Sequence, residues 1–159
     1  MAIIKKRSLK KNLGITIIEL LAAVAIMGIL GAVSVSVFSK LANNSSLDRD
    51  VTIINSYIEK ARTESINSVN SLEHGIKFEA NKITVFKSVT FSAGNTETYY
   101  DIPGKSRISA INLTGGATTV YFNKLTGAPS VTGTVVVSQT NGSETRTITI
   151  YATGIVDIQ

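Results

Sequence analysis

The residues whose types and spacing could do chemistry stand near the start of this chain. Gly14 ends a short basic segment, and Ile15 opens an apolar run that holds a single carboxylate, Glu19. Hydrolysis of the Gly14–Ile15 bond would create an α-amino group with a pKa of about 8, which is mostly charged at neutral pH. The pattern therefore predicts a processing site whose product is a cation close to an acidic partner.

The basic segment before Gly14 is typical of a targeting signal rather than of a nucleic-acid site. It carries five of the sixteen Lys and Arg residues: Lys5, Lys6, Arg7, Lys10 and Lys11. Without it, eleven cations balance eleven anions, so the formal net charge of +5 belongs to the leader. Because such segments stay on the cytoplasmic side of a membrane, we expect the chain after Phe38 to lie on the far side.

The apolar run over residues 15–38 is long enough to cross a bilayer. Its 24 residues would form a helix of about 36 Å, against a hydrocarbon core of about 30 Å. Two other interpretations stay open: a secretory signal cut near Ser34-Val35-Ser36, and an uncleaved anchor. Both leave Glu19 unexplained, because a carboxylate costs about 2.5–3.5 kcal/mol at mid-bilayer and needs a partner. The apolar region of a secretory signal is also shorter, typically about 7–15 residues.

Together, Gly14, the glutamate at the fifth position after it and the apolar run resemble the type III signal of type IV pilins and pseudopilins. The resemblance implies cleavage after Gly14 by a prepilin peptidase and methylation of the new amino terminus at Ile15. It also implies that Glu19 pairs with the terminal amine of a neighbouring subunit during assembly. Ile15 replaces the usual phenylalanine or methionine, a conservative difference.

Helical periodicity continues beyond the apolar run. An apolar stripe recurs at steps of three and four residues: Leu47, Val51, Ile54, Ile58, Ala61, Ser65, Val69 and Leu72. The opposite face is predicted to be a solvated surface, with Asp48, Arg49, Asp50, Glu59, Lys60, Arg62 and Glu64. Residues 41–46 are weak helix formers, so continuity of the helix there stays open.

From His74 onward the hydrophobic period changes to two. Strands are predicted near 75–80, 82–91, 97–102, 107–113, 117–123, 132–138, 145–152 and 155–158. No helix-length segment separates them, so pairing should be antiparallel, with tight turns at 79–82 and at Asn141-Gly142.

The predicted fold class is α+β: a long N-terminal helix packed on a sandwich-like antiparallel β domain, which the resemblance equates with the pilin fold. The predicted divisions are a leader (1–14), a transmembrane helix (15–38), an amphipathic helix (39–72) and the β domain (73–159).

The C-terminal half is similar to the GspH/FimT-like minor pseudopilins. The matching stretches are Ala61-Arg62-Thr63-Glu64-Ser65, His74-Gly75-Ile76-Lys77-Phe78, Val120-Tyr121-Phe122-Asn123 before Gly127, and Arg146-Thr147-Ile148-Thr149-Ile150 before Gly154. FimT-like pilins that bind DNA carry a tail rich in glycine and arginine, whereas residues 155–159 contain no arginine. The DNA-binding role therefore does not transfer.

The sequence offers little for catalysis. It has no cysteine and one histidine, and it shows neither a paired-carboxylate motif nor metal-ligand spacing. His74, between helix and sheet, is predicted to be a polar loop residue. Tyr99, Tyr100 and Phe91 could form a recognition patch, although core or edge packing is the commoner role of such residues. We therefore predict that the chain is not an enzyme and has no catalytic residue, no cofactor and no metal.

The predicted function is that of a structural subunit, a minor pilin or pseudopilin of a type IV pilus, type II secretion or competence pseudopilus. Expected partners are other pilin or pseudopilin subunits, prepilin peptidase, the inner-membrane assembly platform and, before assembly, the membrane; nucleic acid is not expected. The chain would cross the cytoplasmic membrane once with its N-terminus inside and then join an extracytoplasmic filament.

The alternative is a DNA- or surface-binding minor pilin in natural transformation or adhesion. A basic cluster on the β domain would favour DNA. The sequence shows only scattered cations there: Lys77, Lys82, Lys87, Lys105, Arg107 and Lys124.

Overall fold

The computed structural model of the chain describes residues 14–159, so the predicted leader before Gly14 lies outside the described residues. One α-helix, α1 (Ile17–Ile66), is followed by eight strands. The helix is unbroken through residues 41–46, which answers the question of continuity that the sequence leaves open. The chain divides into two compact units, the first ending at Ser39 and the second comprising Lys40–Gln159.

In the first unit, the apolar side chains of α1 are exposed. Ile17 is 80% exposed, and Met27 and Phe38 are about as accessible, at 71% and 70%. The helix is long and apolar enough to cross a membrane near the N-terminus of the chain. This agrees with the expected single-pass insertion, since a helix apolar on all sides needs lipid or other helices around it.

In the second unit, α1 is amphipathic, and most of the predicted stripe is confirmed. Leu47, Val51, Ile54, Ile58, Ala61 and Ser65 are all buried. The prediction is wrong for Val69 and Leu72, which are 36% and 39% exposed, because the helix ends at Ile66. Residues with positive φ follow directly: Ser68, Asn70 and Ser71 have φ of 50°, 53° and 57°. An α-helix cannot continue through such left-handed residues.

One residue of the predicted solvated face is instead fully buried. Asp50 has no exposed surface, and its Oδ1 accepts a hydrogen bond of 2.9 Å from the Tyr100 hydroxyl. The Arg49 guanidinium lies 3.5 Å from the same oxygen. Burial, together with the hydrogen bond and the charge of Asp50, raises the pKa of Tyr100 to about 12. A buried carboxylate needs such partners, so this pair belongs to the core.

The eight predicted strands are all present, with bounds that differ by a few residues. They are β1 (His74–Glu79), β2 (Lys82–Lys87), β3 (Thr96–Asp101), β4 (Ser106–Leu113), β5 (Thr119–Phe122), β6 (Gly133–Gln139), β7 (Thr145–Ile150) and β8 (Val156–Ile158). The largest difference is at β2, which was expected to reach residue 91. It ends at Lys87 because Ser88 adopts a φ of 134°, outside the extended region.

The strands form two sheets of four, and the predicted antiparallel pairing is confirmed. Sheet A has the order β3-β2-β1-β5 and sheet B the order β4-β6-β7-β8. Both predicted turns are hairpins: Glu79 pairs with Lys82 across one, and Gly142, with a φ of 73°, lies in the other between β6 and β7.

A single hydrophobic core joins the helix stripe to both sheets. Val120 and Phe122 face it from sheet A, and Ile148 and Ile150 face it from sheet B, whereas Tyr151 is exposed. A long N-terminal helix that is apolar at first and then packs on antiparallel sheets is a pilin-like architecture. The predicted α+β class is confirmed.

We predict that Tyr100→Phe lowers the free energy of unfolding by about 1–3 kcal/mol, because it leaves a fully buried carboxylate without its hydroxyl donor. The measurement is urea unfolding of the full-length chain in detergent micelles, followed by circular dichroism. Tyr99→Phe is the matched control, since Tyr99 is 53% exposed, and should change stability by less than about 0.5 kcal/mol. Equal effects of the two substitutions would contradict the role given to Asp50.

Candidate functional site

The predicted processing site lies just outside the helix. Gly14, Ile15 and Thr16 are not helical, and α1 begins at Ile17. The Thr16 Oγ1 accepts a hydrogen bond from the Glu19 backbone N–H at 3.3 Å, and the Thr16 carbonyl accepts one from the Leu20 N–H at 3.1 Å. Thr16 is therefore the N-cap of the helix. Gly14 and Ile15 are exposed, and the bond between them lies before the cap.

Sequence reasoning missed this cap, although the signal was available. The residues Thr16-Ile17-Ile18-Glu19 match the capping-box pattern, in which Ser or Thr is followed three positions later by Glu or Gln. The pattern predicts that the helix begins directly after Thr16. It therefore also predicts that the residues at the cut lie outside the helix.

Glu19 lies in the first turn of α1 and is exposed. A carboxylate in this position interacts favourably with the partial positive charge of the helix N-terminus. Among residues 14–159, no cation forms an ion pair with it. Gly14, Ile15 and Glu19 thus stand together at one helix start, which is the arrangement that the predicted pairing between a new terminal amine and a carboxylate would use.

A second polar cluster, at the other end of α1, was not expected. His74 was predicted to be a polar loop residue, but it is the first residue of β1 and is fully buried. Its Nδ1 lies 3.2 Å from Glu64 Oε2 and 3.3 Å from Glu97 Oε2, and its Nε2 lies 3.2 Å from the Val69 carbonyl oxygen. The prediction failed because the partners come from α1 and β3, far from His74 in the sequence.

The backbone around His74 explains why the imidazole is buried. The Ser65 hydroxyl accepts a hydrogen bond of 2.8 Å from the His74 N–H, so the start of β1 is attached to the end of α1. The left-handed turn over residues 68–71 then places the Val69 carbonyl next to the ring. No spacing in the sequence signals this contact, because it depends on the conformation of the turn.

Two lysines flank the cluster, each on the outer oxygen of a carboxylate. Lys87 Nζ lies 3.5 Å from Glu97 Oε1, and Lys60 Nζ lies 3.7 Å from Glu64 Oε1. Burial raises the pKa of Glu97, but the positive charges of Lys87 and Lys60 and the hydrogen bond to His74 outweigh it, so the pKa lies below its usual value of 4.5. Both Oε2 atoms are left facing the imidazole.

The donor atoms of Glu64, His74 and Glu97 lie within 4.8 Å of one another, so these three residues could hold a metal ion.

The aromatic residues proposed as a recognition patch are mostly used in packing. Tyr100 stacks on Tyr57 at 6.1 Å, and Phe91 meets Phe86 edge-on at 5.5 Å. Tyr99 is the exposed member, under the ammonium of Lys82.

The scattered cations of the β domain are largely engaged. Lys77, Lys87 and Lys124 form ion pairs with Glu79, Glu97 and Glu73, and Lys82 lies 4.1 Å from the centre of the Tyr99 ring. Ion pairs lower the positive potential available to a phosphate backbone. This arrangement lends little support to the DNA-binding alternative.

We predict that the ion pairs of Glu97 make the fold sensitive to acid. A carboxyl with a lowered pKa contributes stability above its unfolded value, here 4.5, and loses it as the pH falls through the folded value. Glu97→Gln should therefore be less stable than the parent at neutral pH, and the difference should shrink well below pH 4.5. Unfolding measurements at both pH values, with a chelator present, test this; a difference independent of pH would contradict it. Glu79→Gln, outside the cluster, is the control.

No protein-family model matches the chain, and neither a curated protein nor a solved structure matches it.

Proposed function

We propose that this chain is a structural subunit, a minor pilin or pseudopilin, of a type IV pilus, type II secretion or competence pseudopilus. The observation that carries the proposal is the contrast between the two halves of α1. The half within Lys40–Gln159 buries its stripe in a complete core, whereas the apolar half before Ser39 is exposed throughout its described side chains. Exposed apolar surface of this extent requires a partner.

Lipid and other helices are the two environments that would cover such a helix. In a membrane its backbone groups are satisfied within the helix, and its side chains face hydrocarbon. In a filament core the same side chains would pack on the corresponding helices of neighbouring subunits. A subunit that is first inserted and later extracted needs a helix suited to both environments, and the apolar half of α1 has the required length and composition.

The start of the helix supports processing by a prepilin peptidase. Gly14 and Ile15 precede the Thr16 cap and are exposed, so the bond between them is accessible without unwinding the helix. Cleavage there would place a charged amine next to Glu19, and methylation at Ile15 would keep its charge.

Glu19 would determine how neighbouring subunits are positioned during assembly. A carboxylate in lipid costs free energy that falls near the interface, and a neighbouring subunit's terminal amine would neutralise it. Because the amine would lie four residues before the carboxylate on each subunit, pairing between subunits would impose an axial offset. The β domain would have a structural role in the filament.

We predict that the mature chain begins at Ile15, with a methylated amino group. Mass spectrometry of protein extracted from membranes of cells that contain a prepilin peptidase measures the terminus. The expected mass is that of residues 15–159 plus one methyl group. A terminus within residues 34–38, or an intact Met1 in the same cells, would contradict the proposal.

We predict that Glu19→Ala is inserted into the membrane normally but is not incorporated into filaments. The substitution makes the span more apolar, so insertion should not suffer, while the partner of the neighbour's amine is lost. The comparison is the ratio of filament to membrane protein on immunoblots. Ser34→Ala is the matched control, since it removes a hydroxyl that donates within the same helix, to Leu30, and changes no charge. Incorporation of Glu19→Ala equal to that of the control would exclude the proposed pairing.

A further inference from the structure

We propose that Glu64, His74 and Glu97 form a binding site for a divalent transition-metal ion of the Zn²⁺ type. The ion would connect the last turns of α1 to β1 and β3. This inference is independent of the proposed function and departs from the sequence-based prediction of no metal site.

The spacing of the donor atoms fits a small tetrahedral ion. Zinc binds imidazole nitrogen and carboxylate oxygen at about 2.0–2.2 Å, so neighbouring ligand atoms of a tetrahedron lie about 3.3–3.6 Å apart. Two of the three edges, from His74 Nδ1 to Glu64 Oε2 and to Glu97 Oε2, are 3.2 and 3.3 Å, and the third, between the carboxylates, is at most 4.8 Å. Three protein ligands would leave a fourth position for water, and each glutamate side chain is 20% exposed.

The groups around the three donor residues are arranged like those that orient the ligands of a metal site. A ligating histidine usually donates its other ring N–H to a carbonyl or carboxylate, and His74 Nε2 faces the Val69 carbonyl at 3.2 Å. Because a carbonyl oxygen only accepts, this contact requires a proton on Nε2, and a metal ion would replace the proton on Nδ1. Lys87 and Lys60 hold the two outer oxygens, which orients the inner ones.

Glu64 provides an independent observation. Its Oε2 atom is buried and accepts no hydrogen bond with acceptable geometry, although it lies 3.2 Å from Nδ1. A buried carboxylate oxygen without a donor costs free energy. One proton on Nδ1 can be directed at only one carboxylate at a time, whereas a cation placed between the three donors would satisfy both.

The chemistry of the donor set limits the ion. One imidazole nitrogen and two carboxylates suit zinc and similar first-row ions, while Ca²⁺ and Mg²⁺ prefer oxygen alone. The two lysines offset the charge of the carboxylates, so affinity should be moderate. In a chain without cysteine, an ion at this place would connect helix and sheet as a disulfide does elsewhere, and it would raise stability by binding the folded state alone.

The test uses the full-length chain in detergent micelles, purified without a histidine tag and stripped with a chelator. After addition of Zn²⁺ and desalting, elemental analysis should find one zinc per chain. Because His74 is the only histidine, nitrogen-15 NMR of its imidazole should show a proton on Nε2 and a metal-induced shift at Nδ1. The melting temperature should rise with zinc concentration.

Variants separate this site from adventitious binding. Glu97→Gln and Glu64→Gln keep the side-chain shape and should weaken zinc binding by more than the about 10–100-fold that loss of an outer-shell partner costs. Glu79→Gln, on the surface beside Lys77, should bind zinc as the parent does. Two results would overturn the proposal whatever the variants' stability: no zinc retained by the parent chain, or an imidazole that stays protonated on both nitrogens in the presence of zinc. Retention unchanged in a folded Glu97→Gln chain would also overturn it.

Discussion

The structure of residues 40–159 depends on the burial of one helical stripe against two sheets. Each four-stranded sheet has one apolar face, and a sheet that leaves such a face in water is not stable. The side chains between Leu47 and Ala61 lie in the same core as the inward residues of both sheets. Burial of apolar surface contributes about 25 cal/mol per Å², so this contact stabilises the packing of the helix on both sheets.

Polar contacts at the margins of the stripe fix how the helix lies on each sheet. On the side of sheet B, Gln139 donates to Asn44 at 2.8 Å and Arg146 donates to Asp48 at 2.9 Å. On the side of sheet A, Tyr100 donates to Asp50, and the imidazole of His74 lies between Glu64 and Glu97. Hydrophobic burial alone is non-directional, whereas these bonds have definite geometry. They select one rotation and one axial position of the helix.

Periodicity predicted the elements well because it reflects which side of an element is buried. The stripe from Leu47 to Ser65 and the alternation in β5 and β7 needed no knowledge of partners. The buried polar residues could not be predicted in that way. Asp50 and His74 are polar by type, and only contacts with residues distant in the sequence make their burial favourable. The end of the helix at Ile66 depends on left-handed serine and asparagine residues, which sequence patterns permit but do not require.

The Thr16 cap has a consequence for the energetics of maturation. Within residues 14–159, the hydrogen bonds of the helix begin at Thr16, whose hydroxyl and carbonyl oxygens accept from Glu19 and Leu20. Hydrolysis between Gly14 and Ile15 would therefore break no bond of the folded helix. The reaction would change the charge at the end of the helix and leave its conformation as it was. If the chain is processed as proposed, cleavage would change the charge at the start of the helix and would require no refolding before assembly.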